Sequence, residues 1–365
     1  MTESIRINAG KGYDVKIGPG LVKEAGFLSA EVLRGRKVAF FADSGADRLY
    51  GDAAEESFRK AGFETCRFIF PDGEHSKNIQ TVAAFVDFMA EHHLTRKDAA
   101  VALGGGVTGD MCGFAASVYL RGIDFIQLPT TLLAAVDSSV GGKTGVNISA
   151  GKNLMGTFWQ PSLVVYDTDT FKTLNEDLIL DGTAEIIKTG AIRDESVLNL
   201  IEADGIALHL AEIVGRCVKI KGEVVEADEK ESGLRRILNF GHTMAHAIEK
   251  DSDYSISHGK AVAVGMLMVT SASEAAGMTE KGTYEKLLRL IASEGFETSY
   301  QGSGTDELCR LAASDKKVSG DSISLVYIEK PGKASICDIR LTSLSSFLKK
   351  GKPVAETAAK RIISR

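Results

Sequence analysis

The sequence lacks the segments that place a protein in or across a membrane. No hydrophobic run approaches the length of a membrane-spanning helix, and the first residues, MTESIRINAGKGYDVKIG, lack the apolar core of a signal peptide. The five cysteines are scattered and odd in number, with no C-x-x-C pair, which fits a reducing compartment. We therefore expect a cytoplasmic protein whose cysteines are small buried side chains.

The sequence also has no excess of positive charge. Lys and Arg number 43 against 49 Asp and Glu, and this net charge of −6 argues against nucleic acid or an anionic membrane as the main partner. No internal repeat or low-complexity linker interrupts the chain. Its 365 residues are typical of two domains, and 44% hydrophobic with 25% charged residues is typical of a soluble globular protein.

Strand-like and helix-like segments alternate up to about residue 175. The segments VAFFADSG, CRFIFPDG, DAAVALGGG, DFIQLPTT and SLVVYDTD are typical of strands, and helical patterns separate them. This order predicts a parallel sheet with helices on its faces. Beyond about Asn175 the patterns are helical until ISLVYIEK. We predict a Rossmann-like α/β domain over residues 1–175 and an all-α domain over residues 176–365.

Three of the seven histidines fall in the short stretch NFGHTMAHAIEKDSDYSISHGKAVA. His242 and His246 are four residues apart and share a helix face, and His258 begins another apparent helix. Glu185 and Lys188 share a face of a third helix. A carboxylate and imidazoles from neighbouring helices suit a divalent metal with a position open for substrate. The competing interpretation, ordinary surface or core histidines, is weaker for three together than for one.

The segment ALGGGVTGDMCGF is a strand, a glycine turn and a helix, with G-x-G-x-x-G spacing at Gly104, Gly106 and Gly109. A helix N-terminus behind such a turn can bind a pyrophosphate, although the motif alone is weak. No acidic residue ends a strand about twenty positions later, where Thr130 and Thr131 stand instead. The candidate for the ribose-binding acid is Asp43, at the end of an earlier strand.

Two further groups of polar residues lie in surroundings unlike an ordinary solvated surface. Lysines and amides among Gly, Ser and Thr suit an anionic, polyhydroxylated ligand, although a flexible loop with incidental lysines remains the alternative. The residues of this first group are Asp137, Lys143, Asn147, Lys152 and Asn153. The second group, Lys221, Arg235 and Asn239, leads into the histidines; Arg235 offers a fork for a carboxylate or phosphate and Asn239 a hydrogen bond to a hydroxyl, although a lone arginine on a helix usually lies on the surface. Glu74 and Lys77, in PDGEHSKN, are equally compatible with a solvated helix cap. A nucleotide site, a metal site and anion-binding groups together indicate hydride chemistry at a domain interface.

The chain resembles the 3-dehydroquinate synthase family from about residue 40 to 340. The resemblance rests on the blocks GGGVTGD, RGIDFIQLPTTLLAAVDSSVGGKTGVN, GKN, AEIIK, LNFGHTMAHAIE and HGKAVA. It implies an NAD-dependent, zinc- or cobalt-dependent lyase that converts 3-deoxy-D-arabino-heptulosonate 7-phosphate to 3-dehydroquinate and phosphate. In the implied mechanism, NAD oxidises a hydroxyl, phosphate leaves by β-elimination, NADH reduces the ketone, and ring opening and aldol closure follow without net redox change.

The resemblance also implies roles for individual residues. The metal ligands would be Glu185, His242 and His258, and His246 would be a hydrogen-bond or proton-transfer partner of the substrate. The implied substrate contacts are Asp137, Lys143, Asn153, Lys188, Lys221, Arg235 and Asn239. The implied NAD contacts are Asp43, Glu74, Lys77, Gly104, Gly105, Gly106, Thr108, Asp110, Thr130, Thr131, Lys143 and Lys152. Arg121 would reach the neighbouring subunit's site in a homodimer, and Lys316 or Lys317 would lie close to the phosphate.

The sequence departs from the family pattern near two of the ligands, with Lys260 in place of an acid or glutamine and Asp181 and Thr183 in place of the usual SG-L or SG-M pattern. None of these removes a predicted ligand. The rival functions are a related sugar phosphate cyclase, such as 2-deoxy-scyllo-inosose synthase or a sedoheptulose 7-phosphate cyclase, and a metal-dependent polyol dehydrogenase of the glycerol dehydrogenase type. A nucleotide-binding sensor without catalysis is the non-enzymatic alternative.

Overall fold

The computed structural model describes residues 2–313, 318–319 and 321–354, which form two compact units. The first unit comprises Met1–Ile179 and Leu210–Lys230, and the second comprises Leu180–His209 and the chain from Glu231 onward. The predicted division at residue 175 therefore differs in one respect, because a segment beyond residue 209 belongs with the first unit. Among the described residues, no helix has the length and apolar character needed to cross a membrane.

The first unit is built on a seven-stranded sheet. The chain forms β1 (Glu3–Ile7), β2 (Tyr13–Gly18), β3 (Lys37–Asp43), β4 (Glu64–Phe70), β5 (Ala99–Gly104), β6 (Asp124–Pro129), β7 (Lys143–Ile148), β8 (Gly151–Phe158) and β9 (Leu163–Asp167). The sheet order is β1-β2-β9-β6-β5-β3-β4, parallel except for the antiparallel pair β1–β2. Strands β7 and β8 form a separate antiparallel hairpin.

Helices cover both faces of this sheet. The first unit contains α1 (Ala25–Val32), α2 (Ser44–Ala46), α3 (Asp52–Lys60), α4 (Ile79–Glu91), α5 (Gly106–Val118) and α8 (Leu210–Ala227). Between α5 and α8 the chain also forms α6 (Glu176–Arg193) and α7 (Glu195–Asp204), of which α6 lies mostly and α7 wholly in the second unit. Neighbouring residues of a strand point to opposite faces. Phe40 accordingly packs against Phe58 of α3, with ring centroids 5.0 Å apart, and Phe41 stacks on Phe85 of α4 at 4.2 Å. All six residues of β5 are buried, as expected for a strand covered on both faces.

The second unit is predominantly helical, as predicted, and holds α9 (His242–Asp251), α10 (His258–Ala275), α11 (Thr283–Ser293), α12 (Thr305–Ala312) and α13 (Leu341–Leu348), together with most of α6 and all of α7. Helix α10 is buried nearly all round, which marks it as the central helix of this unit. The unit also contains a three-stranded antiparallel sheet of β10 (Val318–Ser319), β11 (Ser322–Lys330) and β12 (Lys333–Arg340). The fold class is confirmed, and this sheet is added to the expected helices.

Candidate active site

The strand order of the first unit reverses at β3. Strand β4 lies on one side of β3, and β5, the next strand along the chain, lies on the other. In open α/β sheets, ligands bind outside the carboxyl ends of the strands at such a reversal. Asp43 ends β3 and Gly104 ends β5, so both residues border this crevice. The order also explains why the candidate acid comes from an earlier strand than the glycine turn.

The Asp43 carboxylate is held from two sides. Its Oδ1 atom accepts a hydrogen bond from Ala46 N at 2.8 Å, and its Oδ2 atom accepts one from Thr108 Oγ1 at 3.0 Å. Gly104 has φ +158°, and a Cβ atom added there would lie 2.4 Å from Asp43 Oδ2. Only glycine at position 104 leaves room for the Asp43 carboxylate. The end of β3 therefore packs directly against the glycine turn that follows β5.

The predicted phosphate-binding groups gather at the same edge. Gly105 and Gly106 lead into the N-terminus of α5, where unpaired backbone N–H groups favour an anion. Thr130 N donates to Gly104 O at 2.9 Å. A Cβ at Gly105 would lie 3.1 Å from Thr131 Cγ2, so the threonine pair after β6 closes against the glycine turn.

Lys77 and Asp110 form a largely buried ion pair, with Nζ and Oδ2 2.6 Å apart. Burial lowers the pKa of Lys77, but the carboxylates of Asp110 and Glu74 outweigh burial and raise it. Lys77 therefore remains charged at neutral pH. Burial raises the pKa of Asp110, against the opposing effect of Lys77. The pair joins the turn after β4 to the first turns of α5.

A chain of hydrogen bonds links the turn at Glu74 to the hairpin of β7 and β8. Asn147 Nδ2 donates to Glu74 Oε1 at 2.7 Å, and Asn147 Oδ1 accepts from Asn153 N at 2.9 Å. Asn153 adopts the left-handed conformation with φ 53°. Lys143, which is exposed, and Lys152, which is partly buried, lie on the same hairpin. Asn147 thus connects Glu74, a predicted NAD contact, with Asn153, a predicted substrate contact.

Lys221 lies on α8 and donates through Nζ to both the carbonyl oxygen and the carboxylate of Asp137. Helix α8 packs against β1, β2 and the segment Ala134–Ser138. The return of α8 to the first unit therefore places Lys221 beside Asp137.

The predicted metal ligands come together in the second unit, each from a different helix. Glu185 lies within α6, His242 is the first residue of α9, and His258 is the first residue of α10. One ligand atom from each lies within 4.8 Å of the others, and Glu185 Oε1 is 3.6 Å from Nε2 of both histidines. Ligand atoms at ordinary zinc distances in a tetrahedral site are about 3.4 Å apart, so this spacing fits one ion.

The other ring nitrogens are directed away from the cluster. His242 Nδ1 lies 3.1 Å from Phe240 O, and His258 Nδ1 lies 3.7 Å from Glu249 Oε1. Such outer contacts fix the ring orientation of metal-binding histidines and leave Nε2 for the ion. Glu185 is fully buried, and its Oε1 atom has no hydrogen-bond partner among the described residues. A buried carboxylate oxygen facing two imidazole nitrogens fits a bound cation.

The electrostatics of the cluster also favour a cation. Burial lowers the pKa of His258, but Glu185 and Glu249 outweigh burial and raise it to about 10. Lys188, 2% exposed, pairs through Nζ with Glu185 Oε2. His246 lies on α9 with its ring centroid 5.8 Å from that of His242. Within the described part of the chain, the possible metal-binding group consists of Glu185, His242 and His258 and does not include His246.

The remaining predicted residues are placed as follows. Arg235 is 1% exposed, and Asn239 Nδ2 donates to Glu231 Oε1 at 2.8 Å. Arg121 is exposed on the turn between α5 and β6, where Leu120 and Arg121 both have positive φ. Lys260 is partly exposed in the first turn of α10. Lys316 and Lys317 lie outside the described residues.

The sequence patterns assigned no role in the site to three carboxylates of the second unit: Asp181, Glu231 and Glu249. Glu249 is seven residues after His242, two helical turns, so its placement on the same face was accessible from periodicity. Asp181 is similarly four residues before Glu185. Glu231 gave no periodic signal, because it lies in a loop with φ 59°.

Two family models match consecutive parts of the chain. The 3-dehydroquinate synthase N-terminal model matches residues 67–181, and the 3-dehydroquinate synthase C-terminal model matches residues 182–318. The chain belongs to the 3-dehydroquinate synthase family. The resemblance predicted from the sequence blocks is confirmed.

Curated members of the family match nearly the whole chain. The 3-dehydroquinate synthase of Enterococcus faecalis (strain ATCC 47077 / OG1RF) is 40% identical over 341 residues, 92% of this chain and 95% of that protein. That of Streptococcus sanguinis (strain SK36) is 41% identical over 344 residues, 93% of this chain and 97% of that protein.

Solved structures of related enzymes share the fold. A 2-deoxy-scyllo-inosose synthase complexed with carbaglucose-6-phosphate, NAD+ and Co2+ is 25% identical with a TM-score of 0.86, covering 96% of this chain and 100% of that one. ValA, a 2-epi-5-epi-valiolone synthase from Streptomyces hygroscopicus subsp. jinggangensis 5008 with NAD+ and Zn2+ bound, is 25% identical with a TM-score of 0.83, covering 92% and 96%. A probable glycerol dehydrogenase from Sinorhizobium meliloti, 15% identical with a TM-score of 0.58, covers 91% and 94% and shares the fold alone.

Proposed function

We propose that this chain converts 3-deoxy-D-arabino-heptulosonate 7-phosphate to 3-dehydroquinate and phosphate, with NAD and a zinc or cobalt ion as cofactors. The observation that carries the proposal is the cluster of Glu185, His242 and His258 in a chain 40% identical to 3-dehydroquinate synthases over 92% of its length. When bound, the metal polarises a substrate oxygen and NAD takes up and returns a hydride.

The residues of the second unit divide between holding the metal and handling the substrate. Glu185, His242 and His258 would bind the ion, and Lys188 balances the charge of the Glu185 carboxylate. Arg235 offers a planar fork for a carboxylate or phosphate, and Asn239 offers a hydrogen bond to a hydroxyl. His246 would contact the substrate as a hydrogen-bond or proton-transfer partner.

In the first unit, the edge of β3 and β5 would hold NAD. Asp43 is the acceptor for a ribose hydroxyl, and the N-terminus of α5 faces the pyrophosphate. Lys77 and Asp110 keep the turn after β4 in place beside this edge. Asp137, Lys143, Asn153 and Lys221 would contact the substrate, with the lysines neutralising its phosphate or carboxylate. Lys143 and Lys152 would also contact NAD.

We further propose that the protein acts as a cytoplasmic homodimer in which Arg121 reaches the neighbouring subunit's site. Arg121 is exposed on a turn with two consecutive left-handed residues, a strained conformation typical of functional positions. Strand β8 pairs only with β7 among the described strands and exposes Leu154, Met155 and Phe158, an apolar group suited to a second copy. None of the five cysteines, all of which lie in the described part of the chain, forms a disulfide, as in a reducing compartment.

The test is phosphate release from 3-deoxy-D-arabino-heptulosonate 7-phosphate in the presence of NAD. Chelated protein should release no phosphate, zinc or cobalt should restore release, and NADH absorbance should show no net accumulation. Glu185→Gln should lose both metal binding and phosphate release. Glu176→Gln, which changes an exposed carboxylate at the start of the same helix, should keep both.

Two outcomes would contradict the proposal. Folded, metal-loaded protein that releases no phosphate from this substrate, but does so from glucose 6-phosphate or sedoheptulose 7-phosphate, is one of the related cyclases. Accumulation of NADH with a simple polyol identifies a dehydrogenase instead.

A further inference from the structure

The carboxylate of Asp181 lies at the start of α10, the helix whose first residue is His258. Its Oδ1 atom accepts a hydrogen bond from Ser257 Oγ at 2.7 Å and another from Gly259 N at 2.8 Å. Ser257 occupies the N-cap position but makes no cap bond with its own side chain. Asp181, 76 residues earlier on α6, thus supplies the acceptor that an N-cap side chain normally provides. Its charge also faces the positive end of the helix dipole.

The two helices touch closely at this point. A Cβ atom at Gly259 would lie 2.4 Å from the Cα atom of Asp181, so only glycine allows α6 to approach the first turn of α10 this closely. The bonded residues, Ser257 and Gly259, stand on either side of His258. Their attachment to α6 therefore fixes where the His258 side chain leaves its backbone.

The same face of α6 carries a metal ligand. Asp181 and Glu185 are four residues apart, so their side chains leave the helix on one side. Anchoring α10 at Asp181 thereby sets the separation of Glu185 Oε1 and His258 Nε2, which is 3.6 Å. Contact with the ion itself is not required of Asp181.

We propose that Asp181 is a positioning residue of the metal site, which holds the first turn of α10 against α6 so that Glu185 and His258 bind one ion. This inference rests on the metal site of the proposed function. The competing explanation is that Asp181 only stabilises the fold, as any helix cap does. The two explanations differ in what they predict for metal affinity in protein that remains folded.

The experiment measures zinc affinity of the full chain by competition with a chromophoric chelator, and the visible spectrum of bound cobalt. Asp181→Ala should weaken zinc binding by about 10- to 100-fold, the range found when a group supporting a metal ligand is removed. The cobalt bands of this variant should shift or weaken. Asp181→Asn keeps the acceptor oxygen and should bind zinc within about threefold of the unchanged protein, because Asn and Asp are equivalent helix caps.

The chain offers a matched control in the same unit. Asp194 caps α7 by accepting from Ser196 N at 3.0 Å and from Ser196 Oγ at 2.6 Å, and α7 carries none of the three metal ligands. Asp194→Ala should lower the unfolding temperature as any cap removal does, while zinc affinity and the cobalt spectrum stay unchanged. A fold-stabilising role alone would make the Asp181 and Asp194 variants behave alike.

Several results would overturn the inference. One is unchanged zinc affinity in folded Asp181→Ala, and another is an equal loss in Asp194→Ala. If Asp181→Ala does not fold, Ser257→Ala removes one of the two bonds without altering α6, and an unchanged zinc affinity in this variant counts equally against Asp181. If the protein without any substitution binds neither zinc nor cobalt, both this inference and the proposed metal cofactor are contradicted. Metal binding without phosphate release contradicts only the proposed function.

Discussion

At the scale of single residues, the predicted site contains charged groups whose burial makes each dependent on a neighbour. Lys77 and Asp110 are the clearest case, since the lysine side chain is 7% exposed and the aspartate side chain 20%. Breaking a buried pair leaves the remaining charge without compensation, whereas an exposed pair contributes little.

We expect Lys77→Met to lower the free energy of unfolding by about 2 kcal/mol, because Asp110 would lose its partner while remaining mostly buried. Lys172→Met is the control, since Lys172 and Asp169 form an exposed pair and the unfolding free energy should hardly change. Urea unfolding of both variants checks the prediction. Equal unfolding free energies for Lys77→Met and Lys172→Met would contradict the prediction and would mean that water solvates the Asp110 carboxylate once Lys77 is removed.

The spacing of residues along the sequence pointed to the candidate metal ligands, but it did not reveal the residues that hold those ligands in place. The positions of His242, His246 and Glu185 followed from helical repeats, and the structure brings Glu185, His242 and His258 together. Asp181 was noted in the sequence only as a departure from the family pattern, because its partners lie 76 and 78 residues away in the chain. Only the packing of α6 on α10 reveals that relation.

At the scale of secondary-structure elements, the glycine turn between β5 and α5 shapes the predicted NAD edge. The alternation of strands and helices was evident from the sequence, as was the position of Asp43 at a strand end. The adjacency of β3 and β5 was not, because strand order depends on tertiary packing that no local pattern specifies. That adjacency is what places Asp43 against Gly104.

Gly104→Ala should weaken NAD binding by about tenfold or more, equivalent to at least about 1.4 kcal/mol, because the added methyl displaces Asp43 or Thr108. Gly62→Ala is the matched control: Gly62 also has positive φ, at +87°, but a Cβ there meets nothing within 4 Å. The control should lose stability by about 1 kcal/mol and keep its NAD affinity. Calorimetric titration with NAD measures the affinity of the two variants, and equal affinities for Gly104→Ala and Gly62→Ala would contradict the role of the turn.

The end of α9 provides a pH-dependent contact. Burial raises the pKa of Asp251, but hydrogen bonds from Tyr300 and Ser303 outweigh burial and lower it below its ordinary value of 3.8. A carboxyl whose folded pKa is lowered contributes stability above its unfolded pKa, and that contribution is lost as the pH falls through the folded value.

Asp251→Asn should therefore destabilise the protein by about 1 kcal/mol at pH 7. The difference from the unchanged protein should shrink as the pH falls below about 4, where the unfolded chain takes up the proton, and should disappear below the lowered folded pKa, where the aspartate is protonated in both states. Unfolding temperatures measured at both pH values test this, with the exposed Asp253→Asn as control. A difference that stays constant with pH would show that the charge of Asp251 contributes nothing.

At the scale of the whole molecule, the proposed exchange of Arg121 between subunits predicts complementation. Arg121→Ala and Glu185→Gln should each be inactive alone. Reassociated in equal amounts, they should recover about a quarter of the unchanged activity, because half the dimers are mixed and one of their two sites is intact. Phosphate release after co-expression measures the recovery.

Mixing Glu185→Gln with His258→Ala is the control. It should recover no activity, because each substitution damages the metal site of the subunit that carries it and a mixed dimer therefore has no intact site. Absence of recovery with Arg121→Ala would place Arg121 in its own subunit's site or outside any site.

The threading of the chain has a consequence for synthesis on the ribosome. The chain leaves the first unit after Ile179 and returns for Leu210–Lys230, whose helix α8 covers β1 and β2. Although N-terminal domains generally fold first as they emerge, this one lacks a covering helix until Lys230 has left the exit tunnel. By then Glu185 has already left the exit tunnel, whereas His242 and His258 follow later in the chain. The nascent protein thus completes its nucleotide half late and its metal half later still, and a truncated product ending at Ile179 would expose an apolar sheet face.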